Sequence, residues 1–306
     1  MQNNVPILKC VQEPKEDPTW TSFFFFMLHP DYTHPVFFRP NGSSVNLFNL
    51  YQGETVYLIG RGPSLGKILE DKSLKKLLMN NSIVKYGMNT SPEVLDNNVN
   101  IWSGVDKMKK FPSSILRNPN ILKFIPMNRF QFYNRDVRKP ETDRTVAYSD
   151  KGLKYTSLCP NIFGVQSFFL APETKNNLSF AESYFGSTAV LYGYFKGFKS
   201  ILLFSLKLCI LLGFKRIVLL GVDFDMNTNE PYYQQKLSDY SKFHIEHNNK
   251  LYLALSPILK EIYTALQNQS SGYDVEIVSD HHIENLPFIP HINLKETLEE
   301  EIERKS

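Results

Sequence analysis

Cysteine is scarce. Cys10, Cys159 and Cys209 are the three in a chain of 306 residues, far apart and in no metal-ligand spacing. That excludes a disulfide framework and a cysteine zinc site, and it suits a reducing, cytoplasmic setting. Charge of one sign is also lacking: the formal net charge is +3, too small to specify a nucleic-acid-binding surface. No hydrophobic run is long enough to span a membrane. The most apolar stretch, Ile201 to Gly213, is interrupted by Lys207 and falls short of the roughly 20 residues a span needs, so it reads as a buried helix. Met1 to Asp17 is polar, carries both signs of charge and shows no secretory signal. What is present is enough apolar residue, 42% of the chain, to bury a full core. The size suits one α/β domain with an appended lobe.

The chain is organised around Thr55 to Leu78. TVYLI, Thr55 to Ile59, is β-branched and apolar, long enough for a buried strand and too short for a helix. It runs into GRGPSLG, Gly60 to Gly66, after which Leu65, Ile68, Leu69, Leu74, Leu77 and Leu78 recur at helical spacing. A glycine turn between strand and helix directs free backbone N–H groups and the positive end of a helix dipole at one small volume, where an anion belongs. Gly60 and Gly62 let the backbone approach a phosphate, Arg61 stands between them, Pro63 stiffens the turn, and Ser64 caps the helix or donates to a ligand. The third glycine, Gly66, is one residue too late for the dinucleotide fingerprint, and Gly66-Lys67 is followed by Ile68 where the Walker sequence has Ser or Thr. A tight βα turn that binds nothing is the alternative.

Residues 1–52 are rich in proline, with an aromatic run from Phe23 to Phe26 and an Asn41-Gly42 turn, and read as an arm packed over the domain; a partner-binding or membrane-surface role for the aromatics is the alternative. Residues 53–292 read as a nucleotide-binding α/β domain, Rossmann-like, with a mostly parallel sheet. SIVKYGMN ends a second strand at Asn89, and NIWSGVD ends a third at Asp106. Ligands of open α/β sheets bind beyond the carboxyl ends of strands, so both residues are candidates for the same crevice as the glycine turn; capping the next helix is their other reading. From about 111 to 195 the periodicity is lost, and the stretch reads as an inserted lid. Within it Asn128 to Lys139 interleaves basic and aromatic residues, suited to an acidic acceptor, a sugar or a nucleic acid, or to a solvated loop. Lys215 to Asp225 carries a strand followed by Asp223 and Asp225, an Asp-x-Asp arrangement of hard oxygen ligands for Mg²⁺ or Mn²⁺. Tyr232 and Tyr233 follow in a polar loop, and His244 and His247 precede an amphipathic helix. Tyr273 to Ser279 is a last strand, and 293–306 a charged helical tail with a solvated face.

GRGPSL, the strand end at Asn89 and LLGFKRIVLLGVDF together resemble the bacterial sialyltransferases of glycosyltransferase family 42 and the related flagellin glycosyltransferases. The archaeal 6-hydroxymethyl-dihydropterin diphosphokinases share the Gly-Pro-Ser-Leu turn and the Gly-x-Asp strand end. The similarity covers about residues 54 to 280. It implies a variant of the GT-A-like sheet with a lid lobe, a nucleotide sugar as donor, a pocket lined by Gly60, Gly62, Ser64, Asn89 and Ser200, a phosphate-binding tyrosine at Tyr232 or Tyr233, and His247 as catalytic base with His244 beside it. Three departures stand out: Arg61 replaces an asparagine, Asp106 another asparagine, and Asp225 a phosphate-binding tyrosine. The extra carboxylates point to a metal or to a different donor. Glycosyl transfer, diphosphoryl transfer from ATP with Asp106, Asp223 and Asp225 on Mg²⁺, and non-catalytic nucleotide binding are the three functions these residues suit. The acceptor, whether glycan, protein or modified nucleic acid, is left open.

Overall fold

The computed structural model describes residues 36–39, 44–105, 111–126, 159–170, 181, 184–185, 190–194, 200–226, 230, 232–235 and 237–306. Its strands in chain order are β1 (Phe37–Phe38), β2 (Ser44–Val45), β3 (Thr55–Ile59), β4 (Lys85–Met88), β5 (Ile101–Ser103), β6 (Leu122–Pro126), β7 (Ile162–Val165), β8 (Ser167–Leu170), β9 (Val190–Tyr194), β10 (Arg216–Leu220) and β11 (Glu276–Ser279). β8 and β9 form a separate parallel pair. The others build a nine-stranded sheet in the order β11-β10-β3-β4-β5-β6-β7-β1-β2. Pairing is parallel from β11 through to β7, and β1 and β2 extend the far edge antiparallel. This is a Rossmann-like α/β fold.

Side chains alternate across the strands and bury both faces. Val56 and Leu58 of β3, with Ile217 and Leu219 of β10, enter one core; Tyr57 and Ile59, with Val218 and Leu220, enter the other. The second core is covered by α1 (Ser64–Glu70), α2 (Lys72–Leu78) and α3 (Ser113–Arg117), and the first by α4 (Ile201–Leu211) and the carboxyl half of α5 (Lys242–Gln267). From β3 the chain therefore moves one way along the sheet with its connections on one face, while from β10 it moves the other way with its helices on the opposite face. β3 and β10 are neighbours, and the winding reverses between them. In open α/β sheets the ligand crevice lies at that reversal.

Three features differ from the sequence expectation. β6 and β7 fall inside 111–195, yet they are strands of the main sheet, so the lid boundary moves: 111–126 and 159–165 belong to the core domain. LKFIP and IFGV are short and contain Pro126 and Gly164, residues that weaken a strand pattern, but both are buried throughout. The tail is not simply solvated. Its helix, α6 (Leu294–Arg304), is capped by Asn293 and docks Leu294 and Leu298 into the second core. Leu298 is fully buried, and truncating such a leucine costs about 2–5 kcal/mol. Finally, α5 starts at Lys242, capped by Ser241, so His244 and His247 lie within the helix and not before it. Of the amino-terminal arm, β1 and β2 are seen joining the sheet; the aromatic run 23–26, the Asn41-Gly42 turn and the basic-aromatic stretch 128–139 lie outside the described residues.

Among the described residues three lysines are buried. Lys85 Nζ donates to the carbonyls of Asn80 (3.0 Å) and Ile83 (3.1 Å); Lys123 Nζ donates to those of Asn118 (2.6 Å), Ile121 (2.9 Å) and Pro160 (2.6 Å). The two sites repeat one pattern, Asn-x-x-Ile-x-Lys, and in each the Asn side chain also accepts from the backbone N–H two residues on. Burial lowers both ammonium groups to about 8, but hydrogen bonds satisfy them where an unpaired charge would be prohibitive. They lie at the amino ends of β4 and β6, away from the winding reversal. Lys207 interrupts α4 for a different reason: its Nζ donates to the Tyr184 carbonyl (2.7 Å) and sits 5.3, 5.6 and 5.4 Å from the ring centres of Tyr184, Phe185 and Tyr273.

Candidate functional site

At the winding reversal the ends of β3 and β10 are bound to each other. Gly60 N–H donates to the Leu220 carbonyl (2.8 Å) and Gly62 N–H to that of Gly221 (2.7 Å). No side chain fits between them: a Cβ on Gly60 would lie 2.3 Å from the Gly221 oxygen, and one on Gly62 would lie 1.8 Å from Asp223 Oδ2. Asp223 reaches across the gap to accept from Ser64 N–H at 3.2 Å and from Ser64 Oγ at 3.0 Å. The first anion received by this turn is thus a carboxylate of the chain itself, 159 residues on from Ser64. The glycines of GRGPSL admit Asp223 closely, where the sequence suggested they admit a phosphate.

Arg61 is committed as well. Its Nη1 pairs with Glu93 Oε2 at 3.0 Å, and its Nε donates to the Tyr233 carbonyl at 3.2 Å. Tyr233 N–H in turn donates to the Arg61 carbonyl at 2.7 Å, and its ring covers Gly66, where a Cβ would lie 2.7 Å from it. The tyrosine loop is thereby fastened to the glycine turn. From it a line of rings leads to α5: Tyr232 lies 5.6 Å from Tyr240, Tyr240 stacks on His244 at 5.2 Å, and the Tyr232 hydroxyl lies 3.3 Å from that of Tyr252. His247, one turn further, stacks on Phe243 at 6.1 Å, and both histidines are exposed.

Asn89 stands at the end of β4, beside β3. Its φ of 50° is left-handed, its carbonyl accepts from Trp102 Nε1 at 2.7 Å, and its N–H donates to Ser103. It does not cap the 3₁₀ turn Ser91–Leu95, which begins after Thr90 without a side-chain cap. Instead its Oδ1 is buried with no hydrogen-bond partner, a costly state for an amide oxygen. Ser200 does cap: its hydroxyl accepts from Leu203 N–H at 3.4 Å at the start of α4. Asp106 lies outside the described residues.

The metal expectation meets an obstacle that the sequence did not reveal. His281, just beyond β11, places Nε2 3.4 Å from Asp223 Oδ1 and Nδ1 3.0 Å from Asp280 Oδ1. Burial alone would lower the imidazole, but the neighbouring carboxylates of Asp223 and Asp280 outweigh it and raise it to about 9. A divalent ion on Asp223 would have to displace the Ser64 hydrogen bonds and the His281 contact that this carboxylate now makes. Among the described residues no three His, Cys, Asp or Glu side chains converge to hold a metal. Asp225 is separated from Asp223 by Phe224, itself left-handed at φ 58° and stacked on Tyr252 at 4.8 Å. His281 was legible by the rule that selected Asn89: it is a polar residue just past the carboxyl end of an apolar strand.

Among the described residues no helix is long and apolar enough to cross a membrane. No family model matches the chain, and no curated protein matches it. Among solved structures it is similar to the sialyltransferase CstII from Campylobacter jejuni, studied in complex with a substrate analogue, cytidine-5'-monophosphate. That likeness has 16% sequence identity and a TM-score of 0.39, and it covers 80% of this chain and 87% of that one.

Proposed function

We propose that this protein is a glycosyltransferase that moves a sugar from a nucleotide donor to an acceptor hydroxyl. The observation that carries the reading is the buried, partnerless Oδ1 of Asn89 at the strand end beside the glycine turn. A ribose hydroxyl or a base amino group is the kind of donor that would satisfy it, and Gly60, Arg61, Gly62, Ser64, Tyr232 and Tyr233 are already joined in the neighbouring turn and loop. The motif resemblance supplies the reaction class. We assign the base to His247, which would take the acceptor's proton, and we assign His244 to holding the tyrosine loop through Tyr240. Diphosphoryl transfer from ATP is less well supported, because it needs Asp223 on Mg²⁺ and Asp223 is engaged by Ser64 and His281.

The test is a thermal-shift panel of CMP-, UDP- and GDP-sugars against ATP, followed by turnover with the best ligand. A ligand at 100 times its Kd stabilises by about 2.7 kcal/mol. Asn89→Ala should abolish the shift. His247→Ala should lower kcat about 10²- to 10⁴-fold with donor affinity unchanged, and His244→Ala should do much less. A panel in which ATP alone stabilises the protein would reverse the assignment.

A further inference from the structure

β3, β10 and β11 are adjacent, and Ser64, Asp223 and His281 stand just beyond their carboxyl ends in one chain of contacts. Arg61 is held by Glu93 and the Tyr233 carbonyl, whereas the His281 ring is bonded well at one nitrogen and poorly at the other. One end of the ring is firmly placed. Nδ1 meets Asp280 at 3.0 Å, the Asp280 side chain is only 8% exposed, and the His281 carbonyl accepts from Ser279 Oγ at 2.5 Å. The other end is loose. Nε2 lies 3.4 Å from Asp223 Oδ1, longer than a good charge-assisted bond, and that carboxylate already accepts twice from Ser64. A purely structural clamp would close both ends and bury the ring; this side chain is 28% exposed.

We propose that His281 is a phosphate-binding residue: oriented by Asp280, its Nε2–H donates to a non-bridging phosphate oxygen of the nucleotide donor. The inference rests on the nucleotide-sugar reading. In the transfer, the bond between the anomeric carbon and the phosphate oxygen breaks with its electron pair leaving on phosphate. The acceptor oxygen forms the new bond, and its proton passes to His247. His281 stabilises the departing charge by a hydrogen bond, a task that a metal performs where carboxylates are free to hold one.

The experiment is isothermal titration of the full chain in EDTA with CMP, UMP, GMP and AMP, each beside its nucleoside. Wild type should bind its preferred nucleotide more tightly than the nucleoside. His281→Asn should shrink that ratio about 10- to 100-fold, the scale of a lost charge-assisted bond, while nucleoside affinity stays constant. An unchanged ratio in folded His281→Asn overturns the proposal and leaves the nucleotide reading standing, as does a variant in which both affinities fall together, the mark of a structural role. Wild type that binds neither nucleotides nor nucleosides overturns both. If His281→Asn does not fold, Asp280→Asn replaces it: the ring remains but loses its orientation, and the same ratio must fall.

Discussion

Gly62→Ala, measured with and without Asp223, separates two reasons for a glycine in the turn. The added Cβ would lie 1.8 Å from Asp223 Oδ2, 2.8 Å from its Cγ and 2.9 Å from the Gly221 oxygen. The first two distances cannot be accommodated, so Asp223 must swing away and release Ser64. Losing hydrogen bonds to a charged acceptor costs about 1.5–3 kcal/mol, and easing the methyl off the Gly221 carbonyl adds about 1 kcal/mol, for a total of roughly 2.5–4 kcal/mol. In an Asp223→Ala background the carboxylate is gone and only the carbonyl contact remains, so the same substitution should cost about 1 kcal/mol. The cycle should therefore show a coupling of about 1.5–3 kcal/mol. Urea unfolding of the four proteins, followed by far-UV circular dichroism without ligand, measures it. Equal costs in the two backgrounds would mean that the glycine does not serve Asp223, and the account of the turn given above would fail.

Other outcomes follow from the titrating groups and the buried lysines. His281 is raised in the folded state, so its contribution to stability is fully present below the unfolded value near 6.5 and is lost as pH rises through about 9; the melting-temperature gap between wild type and His281→Asn should close between pH 7 and 10. Lys207 has the opposite sign. Burial lowers it to about 7, so the unfolded chain binds the extra proton between there and about 10.4, and this lysine makes wild type gain stability with rising pH. Melting curves of Lys207→Met should lack that gain; a variant that keeps it would show that Lys207 is not its source. Lys123→Met takes the ammonium donor from three carbonyls, those of Asn118, Ile121 and Pro160, whereas Lys85→Met takes it from two, those of Asn80 and Ile83. The first should shift the urea midpoint further, and the reverse order would contradict the hydrogen-bond assignment.

The central strands were readable because burial on both faces leaves a continuous apolar run: TVYLI and RIVLL can be little else. LKFIP and IFGV were not, since proline and glycine in such short strands imitate loop composition and only their neighbours in the sheet make them strands. In the candidate site, strand ends singled out Gly60 to Ser64, Asn89 and Asp223, which follow the neighbouring strands β3, β4 and β10. What the residues do there was less accessible. Asp223 completes a turn 159 positions earlier, a relation that no local pattern carries. Nor does the Asp-x-Asp spacing show His281, which β11 delivers to the same carboxylate. In Lys-Leu-Ser-Asp-Tyr-Ser-Lys-Phe-His the Ser241 cap marked the helix start that the notion of a histidine preceding the helix passed over.

The repeated lysine sites have a consequence for chemical labelling. Lys85 and Lys123 are 1% and 0% exposed; each amine is enclosed by the carbonyls of its own loop, and the Pro160 carbonyl also closes over Lys123. An amine-reactive reagent that modifies the many surface lysines within minutes can reach these two only when the 80–85 or the 118–123 loop opens, so each acylation rate becomes a clock for one loop. Because the two loops lie at the amino ends of β4 and β6, a ligand that tightens the whole sheet would slow both clocks, whereas one that stiffens only the turns at the opposite end would leave them running at their original pace.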